Sequence, residues 1–122
     1  MSRPTSVLVL EDEFMIAMEF ETVLLDAGYR VIGPAADAGA ALSLIETDRP
    51  DAGILDVNLG RGETSAPVAE KLRELGVPFA LCTGYQTSEL AQRYGDAVPI
   101  LQKPVDAAIL AEVLRCLIPP PC

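Results

Sequence analysis

The chain has 122 residues, of which half are hydrophobic and 5% aromatic, a formal net charge of -9, and no histidine. This length predicts a single domain over residues 1–122 with a mainly aliphatic core, an ordered part at about residues 5–118 and a Pro-rich tail at 119–122. The negative charge argues against nucleic acid as a partner, because binding to a phosphate backbone depends on Lys and Arg.

The sequence also argues against membrane, disulfide and zinc sites. No apolar run approaches the roughly 20 residues that span a bilayer, and residues 1–6 do not resemble a secretory signal. We therefore expect a cytoplasmic protein with no membrane partner. The three cysteines cannot all pair, and we expect Cys82 and Cys116 to behave as small hydrophobic residues and Cys122 as the one exposed thiol. Without histidine, oxygen ligands remain, and these favour magnesium, calcium or manganese.

Strand-like apolar runs alternate with helical patterns along the chain, which is typical of βαβ units. The first strand is predicted at residues 7–10, and the following helix has an apolar stripe that extends to Ala27 and stops at Gly28. The second strand is predicted at residues 29–33, and Asp37 is the expected N-cap of the second helix.

The third strand is predicted at residues 52–55, directly before Asp56, and a Gly-containing loop covers 57–65. The third helix stops at Gly76, and the fourth strand follows at 79–82. The segment 86–94 is the weakest predicted helix, because it has few apolar residues to bury.

The fifth strand is predicted at residues 98–101, and Asp106 is the expected cap of a last helix that prolines end at 119. Crossovers between parallel strands are right-handed in nearly all proteins. The pattern therefore predicts an α/β fold, a doubly wound five-stranded parallel sheet with five helices, arranged as a three-layer sandwich.

Polar groups follow four of the five predicted strands. They are Glu11, Asp12 and Glu13 after the first strand, Asp56 after the third, Thr83 after the fourth, and Lys103 before Pro104 after the fifth. Ligands of open α/β sheets bind at the carboxyl ends of the strands, so these groups are expected to meet at one edge, with one acidic residue capping the first helix.

Clustered carboxylates at one edge require a counter-charge. Two unit charges 4 Å apart repel by about 4 kcal/mol at an effective dielectric constant near 20. Lys103 supplies one positive charge, and a divalent cation is the natural complement for the rest. Each group alone also fits a plain helix start, turn or surface lysine, but together they predict a magnesium-dependent phosphoacceptor site.

The same positions resemble the receiver domain of two-component response regulators, over almost the whole chain. The resemblance implies a flavodoxin-like sheet of strand order 2-1-3-4-5 and a cis peptide between Lys103 and Pro104. It implies that Asp56 accepts a phosphoryl group and that Thr83 and Lys103 contact the phosphoryl oxygens. The implied Mg²⁺ ligands are Glu11, Asp12, Asp56 and the backbone carbonyl of Asn58.

A narrower resemblance lies in residues 78–85, Pro-Phe-Ala-Leu-Cys-Thr-Gly-Tyr, and in residues 11–17 and 101–104. These stretches are similar to single-domain receivers of the FATGUY group, which implies a histidine kinase of the HWE or a related type, or a histidine phosphotransfer protein, as partner. Most receivers have Tyr or Phe where this chain has Ile100. Tyr85 either takes over part of the readout from that missing aromatic or packs at the rim of the fold.

The resemblance implies a stand-alone receiver that assists its own phosphotransfer and dephosphorylation, is not a turnover enzyme, and acts through protein contacts or as a phosphate sink. The alternative is a magnesium-dependent phosphohydrolase that uses an aspartyl-phosphate. Such enzymes of the haloacid dehalogenase type have Asp-x-Asp after the first strand and need a cap domain, whereas Glu-Asp-Glu stands here. A nucleotide-binding module would need a Gly-rich turn at that place.

Overall fold

The computed structural model describes residues 4–60, 62–84 and 98–118, in which strands and helices alternate. The strands are β1 (Ser6–Leu10), β2 (Arg30–Ala35), β3 (Ala52–Asp56), β4 (Phe79–Thr83) and β5 (Ile100–Gln102). The helices are α1 (Phe14–Asp26), α2 (Ala38–Thr47), α3 (Ala66–Glu74) and α4 (Ala107–Leu117). The predicted helix at 86–94, Tyr85 and the tail at 119–122 lie outside the described residues.

The strands form one parallel sheet in the order β2-β1-β3-β4-β5, which confirms the predicted topology. In register, Leu10 of β1 lies beside Leu55 of β3, and Asp56 lies beside Cys82 of β4. The carboxyl ends of the central strands therefore meet at one edge of the sheet.

The core has one layer on each face of the sheet, because successive strand residues point to opposite faces. Val7 and Val9 of β1 pack with α1 and α4, whereas Leu8 and Leu10 pack with α2 and α3. Every residue of β1, β3 and β4 is buried. This arrangement is the predicted three-layer sandwich. None of the helices in the described ranges has the length and apolar character needed to cross a bilayer.

Three of the predicted helix boundaries are confirmed by local geometry. Asp37 Oδ1 accepts from the Ala40 N–H at 2.7 Å at the start of α2, and Asp106 Oδ1 accepts from the Ala108 N–H at 2.7 Å at the start of α4. Gly76 follows α3 with a φ of 72°, in the left-handed region that glycine adopts without strain.

Gly28 follows α1 with a φ of 92°, as predicted for the helix stop, but the N-cap and the apolar stripe of α1 differ from the prediction. Glu13 is the N-cap residue, but its side chain makes no capping hydrogen bond, so the expectation of an acidic side-chain cap is wrong. Glu11 instead accepts from the Glu13 N–H. Ala27 is exposed at the C-cap and does not belong to the apolar stripe, whereas Ala17 is buried.

Two strand boundaries also differ. β2 continues past Gly33 to Ala35, and its register with β1 shifts across Gly33 and Pro34. An edge strand tolerates such a bulge, because the missing N–H of proline removes no essential ladder bond there. β5 starts at Ile100 instead of position 98, since Pro99 has no N–H to donate and supplies only its carbonyl, which accepts from Leu81.

The cysteines correct one expectation. Cys82 is fully buried in β4, as predicted, and burial raises the pKa of its thiol to about 12. Cys116, however, is exposed on α4, so Cys122 is not the one accessible thiol of the chain.

Candidate functional site

The turn after β1 carries a buried carboxylate. Glu11 is 2% exposed, and its backbone N–H donates to the Ala35 carbonyl at 2.9 Å. Its Oε2 accepts from the Glu13 N–H at 3.1 Å. These bonds fix Glu11 at the sheet edge, whereas the neighbouring Asp12 remains exposed.

Asp56 ends the central strand β3 and is 5% exposed. Lys103, the first residue after β5, contacts both acidic groups, with Nζ 2.8 Å from Glu11 Oε1 and 3.2 Å from Asp56 Oδ2. The Lys103 N–H donates to the Thr83 carbonyl at 2.8 Å, which anchors the main chain from which the side chain reaches Asp56. The structure thus places a lysine between two buried carboxylates, as the sequence predicts.

Three carboxylates can bind one cation together. Glu11, Asp12 and Asp56 each offer one oxygen, and these oxygens lie within 4.8 Å of one another. Glu11 Oε1 is buried and, apart from its ion pair with Lys103, has no hydrogen-bond partner among the residues that the structure describes. Mg²⁺ is typically bound through one or two carboxylates together with water and phosphate oxygens. The donor set therefore fits this ion.

Thr83 and Asn58 flank the acidic cluster. Thr83 ends β4, is 1% exposed, and is tied to Lys103 through the main chain. Asn58 stands two residues after Asp56 and pairs with Thr64 in an isolated antiparallel bridge, which fixes the local backbone.

Besides Thr83, the expected readout residues are Tyr85, Ile100 and Pro104, of which Ile100 and Pro104 lie before and after Lys103 in the chain. Lys103 and Pro104 are joined by a cis peptide bond, as the resemblance implies. Ile100 is partly buried and packs on the core formed with α2 and α3. Tyr85 falls in a part of the chain that is not described, so its two predicted roles stay open.

Comparison with known proteins decides the family. The family model for the response regulator receiver domain matches residues 7–115 of this chain. The chain belongs to this family. Receiver domains take phosphoryl groups from histidine kinases or phosphotransfer proteins, and in this chain the acidic cluster beside Lys103 lies at the carboxyl edge of the sheet.

Individual relatives agree with this assignment. The transcriptional regulatory protein PdtaR of Mycobacterium tuberculosis is 32% identical over 94 residues, which are 77% of this chain and 46% of PdtaR. The matched part of this chain thus spans about half the length of PdtaR. The solution structure of SdrG from Sphingomonas melonis Fr1 is 39% identical, covers 96% of this chain and 98% of its own, and has a TM-score of 0.81.

A further structural neighbour supports the fold alone. The receiver domain of PhyR from Erythrobacter litoralis has a TM-score of 0.84 at 23% identity, covering 98% of this chain and 95% of its own. The narrower resemblance to the FATGUY group stays a prediction.

Burial and nearby charges shift the pKa values of Asp56 and Lys103 in the receiver's acidic cluster. Burial and, to a smaller extent, nearby Glu11 raise the pKa of Asp56 from 3.8 to about 7, against the opposing effect of Lys103. Burial also lowers the pKa of Lys103, but its interactions with Glu11 and Asp56 outweigh burial and raise this pKa above 10.5. Lys103 therefore stays cationic, and the metal-free Asp56 carboxyl is partly protonated near neutral pH.

This raised pKa predicts a pH-dependent stability in the metal-free receiver. The folded protein holds the Asp56 proton more tightly than the unfolded chain, so the associated stability is present below about pH 4 and is lost as the pH rises through about 7. Asp56→Asn should remove this loss, which is on the order of 2 kcal/mol. Urea unfolding with a chelator, at several pH values from about 5 to about 8, measures it. Equal pH slopes for the two proteins would contradict the prediction.

The structure adds residues that the sequence analysis missed. A groove of about 190 Å³ lies beside Glu11 and Asp12 and is lined by apolar residues that include Phe14, Met18 and Pro34. Phe14 is 73% exposed. Phe14 lies outside the apolar stripe of α1, and this position could have indicated an exposed apolar surface from the sequence alone. An apolar residue on the polar face of a helix has no core to join.

Proposed function

We propose that this receiver accepts a phosphoryl group on Asp56 in a magnesium-dependent reaction and then acts through protein contacts or as a phosphate sink. The observation that supports it most is the position of Lys103 Nζ, which contacts both Asp56 and Glu11. An ion pair that only stabilised the fold would need one carboxylate beside the lysine. Here two carboxylates share one cation, and Asp12 adds a third carboxylate.

In the proposed reaction, a carboxylate oxygen of Asp56 attacks the phosphorus of a phosphohistidine on the donor. The new P–O bond forms as the P–N bond breaks, and the departing imidazole nitrogen keeps the electron pair and takes up a proton. Such transfer depends on positioning and on charge stabilisation, so a site without a histidine base is adequate.

The residues around Asp56 divide the remaining tasks. Lys103 stays protonated and is within reach of the phosphoryl oxygens, since its Nζ already contacts Asp56 Oδ2. The Thr83 hydroxyl is the proposed donor to another of these oxygens. Bound Mg²⁺, held by Glu11, Asp12, Asp56 and the Asn58 carbonyl, would neutralise charge on the phosphoryl group.

The proposed partner is a histidine kinase or a histidine phosphotransfer protein. Its histidine must come within bonding distance of Asp56, so the surface around the acidic cluster must contact the donor. Phe14 and Met15, exposed by 73% and 75%, lie at the start of α1 beside Asp12. They offer this partner an apolar contact in an otherwise acidic region.

The test is exposure of the purified protein to a small phosphodonor such as acetyl phosphate or phosphoramidate, with Mg²⁺ or with a chelator. Intact mass spectrometry should show one added phosphoryl group with Mg²⁺ and at least about tenfold slower addition without it, since lost charge stabilisation raises the barrier to transfer. Equal rates under both conditions would remove magnesium from the proposal.

A further inference from the structure

Between β3 and α3, the described residues 57–60 and 62–65 form a hairpin, which contains Asn58. The Ser65 N–H donates to the Val57 carbonyl at 3.2 Å, and the Leu59 N–H donates to the Glu63 carbonyl at 3.0 Å. Leu59 is 7% exposed and belongs to the core. The hairpin therefore has its own backbone bonds and one apolar anchor.

The Glu63 side chain attaches this hairpin to another element. Glu63 Oε1 accepts from the backbone N–H of Ala38, the first residue of α2, at 2.7 Å. Asp37 caps the same helix locally through the Ala40 N–H, also at 2.7 Å. The N-terminus of α2 thus has two acidic partners, of which only Glu63 comes from the hairpin.

The segment that Glu63 contacts is also attached to the acidic turn. Three residues before Ala38, the Ala35 carbonyl accepts from the Glu11 N–H at 2.9 Å. Glu63 therefore completes a connection from the hairpin, through residues 35–38, to the turn that carries Glu11. The hairpin that carries Asn58 and the turn that carries Glu11 are therefore both hydrogen-bonded to residues 35–38.

Gly60 shows how closely the hairpin approaches the cluster. A side chain at this position would place its Cβ 3.3 Å from Asp12 Oδ2. The backbone of the hairpin thus lies against the exposed carboxylate of the cluster. A displacement of the hairpin would change the distances among the metal-binding oxygens.

We propose that Glu63 is a positioning residue for the magnesium site. Its bond to the Ala38 N–H fixes the hairpin that carries the Asn58 carbonyl relative to Glu11 and Asp12, and it thereby sets the affinity for Mg²⁺. The inference rests on the proposed function, in which Asn58 is a ligand. In this proposal Glu63 acts through its bond to the backbone of α2 and is not itself a ligand.

The experiment is a Mg²⁺ titration of the unphosphorylated protein, followed by amide chemical shifts, for wild type, Glu63→Ala, Glu63→Gln and Asp37→Ala. Glu63→Ala should weaken Mg²⁺ binding about tenfold, the lower end of what loss of a supporting partner costs a metal site. Glu63→Gln keeps an oxygen that accepts from the Ala38 N–H, so it should stay within about twofold of wild type. Asp37→Ala removes a cap from the same helix and should keep wild-type affinity.

The controls separate positioning from helix stability. Thermal unfolding should show a comparable loss for Glu63→Ala and Asp37→Ala, because each loses one hydrogen bond at the start of α2. Wild-type Mg²⁺ affinity in Glu63→Ala, equal weakening by Asp37→Ala, or no rescue by glutamine would each overturn the inference. Phosphorylation of the wild type is measured separately, so its absence would refute the proposed function while the Mg²⁺ titrations still decide the role of Glu63.

Discussion

Asp56→Asn is expected to abolish phosphoryl incorporation from a small phosphodonor. The amide has no nucleophilic carboxylate oxygen, yet it keeps nearly the same size in a position that is 5% exposed. The fold should therefore survive while incorporation falls at least about a thousandfold, which corresponds to about 4 kcal/mol of barrier. Intact mass spectrometry over a time course, in excess phosphodonor and Mg²⁺, measures the effect.

The matched control is Asp106→Asn. Asp106 is the N-cap of α4, three residues after Lys103, and asparagine is an equally good cap. This variant should incorporate phosphoryl at the wild-type rate. Incorporation by Asp56→Asn at the rate of the control would show that another group is the acceptor.

The double variant Glu11→Gln with Asp12→Asn is expected to lose Mg²⁺ binding. It removes two of the three carboxylates whose oxygens lie within 4.8 Å of one another, and it leaves Asp56 with Lys103 as its cation. Affinity should fall by at least about 100-fold, because loss of outer partners alone costs up to that factor. Chemical shifts of the unphosphorylated protein during a Mg²⁺ titration provide the measurement.

Glu13→Gln is the control for this effect. Glu13 adjoins the pair and is exposed, but it is not part of the three-carboxylate cluster. It removes one negative charge from the same turn without removing a ligand, so its Mg²⁺ affinity should stay within about threefold of wild type, as expected for a screened surface charge. Similar affinities in the double variant and in this control would mean that the ion binds elsewhere or through general charge alone.

The pattern of the sequence was sufficient for the parallel α/β sheet and for the central part of the site, whereas the strand order was implied by the resemblance to receivers. Apolar runs such as residues 7–10 are long enough for buried strands, and four of the five are followed by a polar group, so parallel topology brings Asp56, Glu11 and Lys103 together. Such inferences depend only on local pattern and on the rule that strand ends meet.

Features that depend on contacts distant in sequence could not be predicted this way. The bond from Ala38 to Glu63 joins residues 25 positions apart, and neither residue has a local pattern that indicates its partner. The extension of β2 past Gly33 depends on a shift of its register with β1, which no local pattern indicates. The exposure of Cys116 depends on which face of α4 packs on the sheet, and its neighbours in sequence are one charged residue, Arg115, and one apolar residue, Leu117.

Asp56 is the proposed carrier of the phosphoryl group. The most direct measurement is reductive trapping of the phosphorylated protein with borohydride, which converts an aspartyl-phosphate to homoserine, followed by proteolysis and peptide mass spectrometry. Homoserine is expected at position 56 and at no other aspartate, and its formation should require both phosphodonor and Mg²⁺. Homoserine at Asp12 or at any position other than 56 would show that Asp56 is not the sole acceptor.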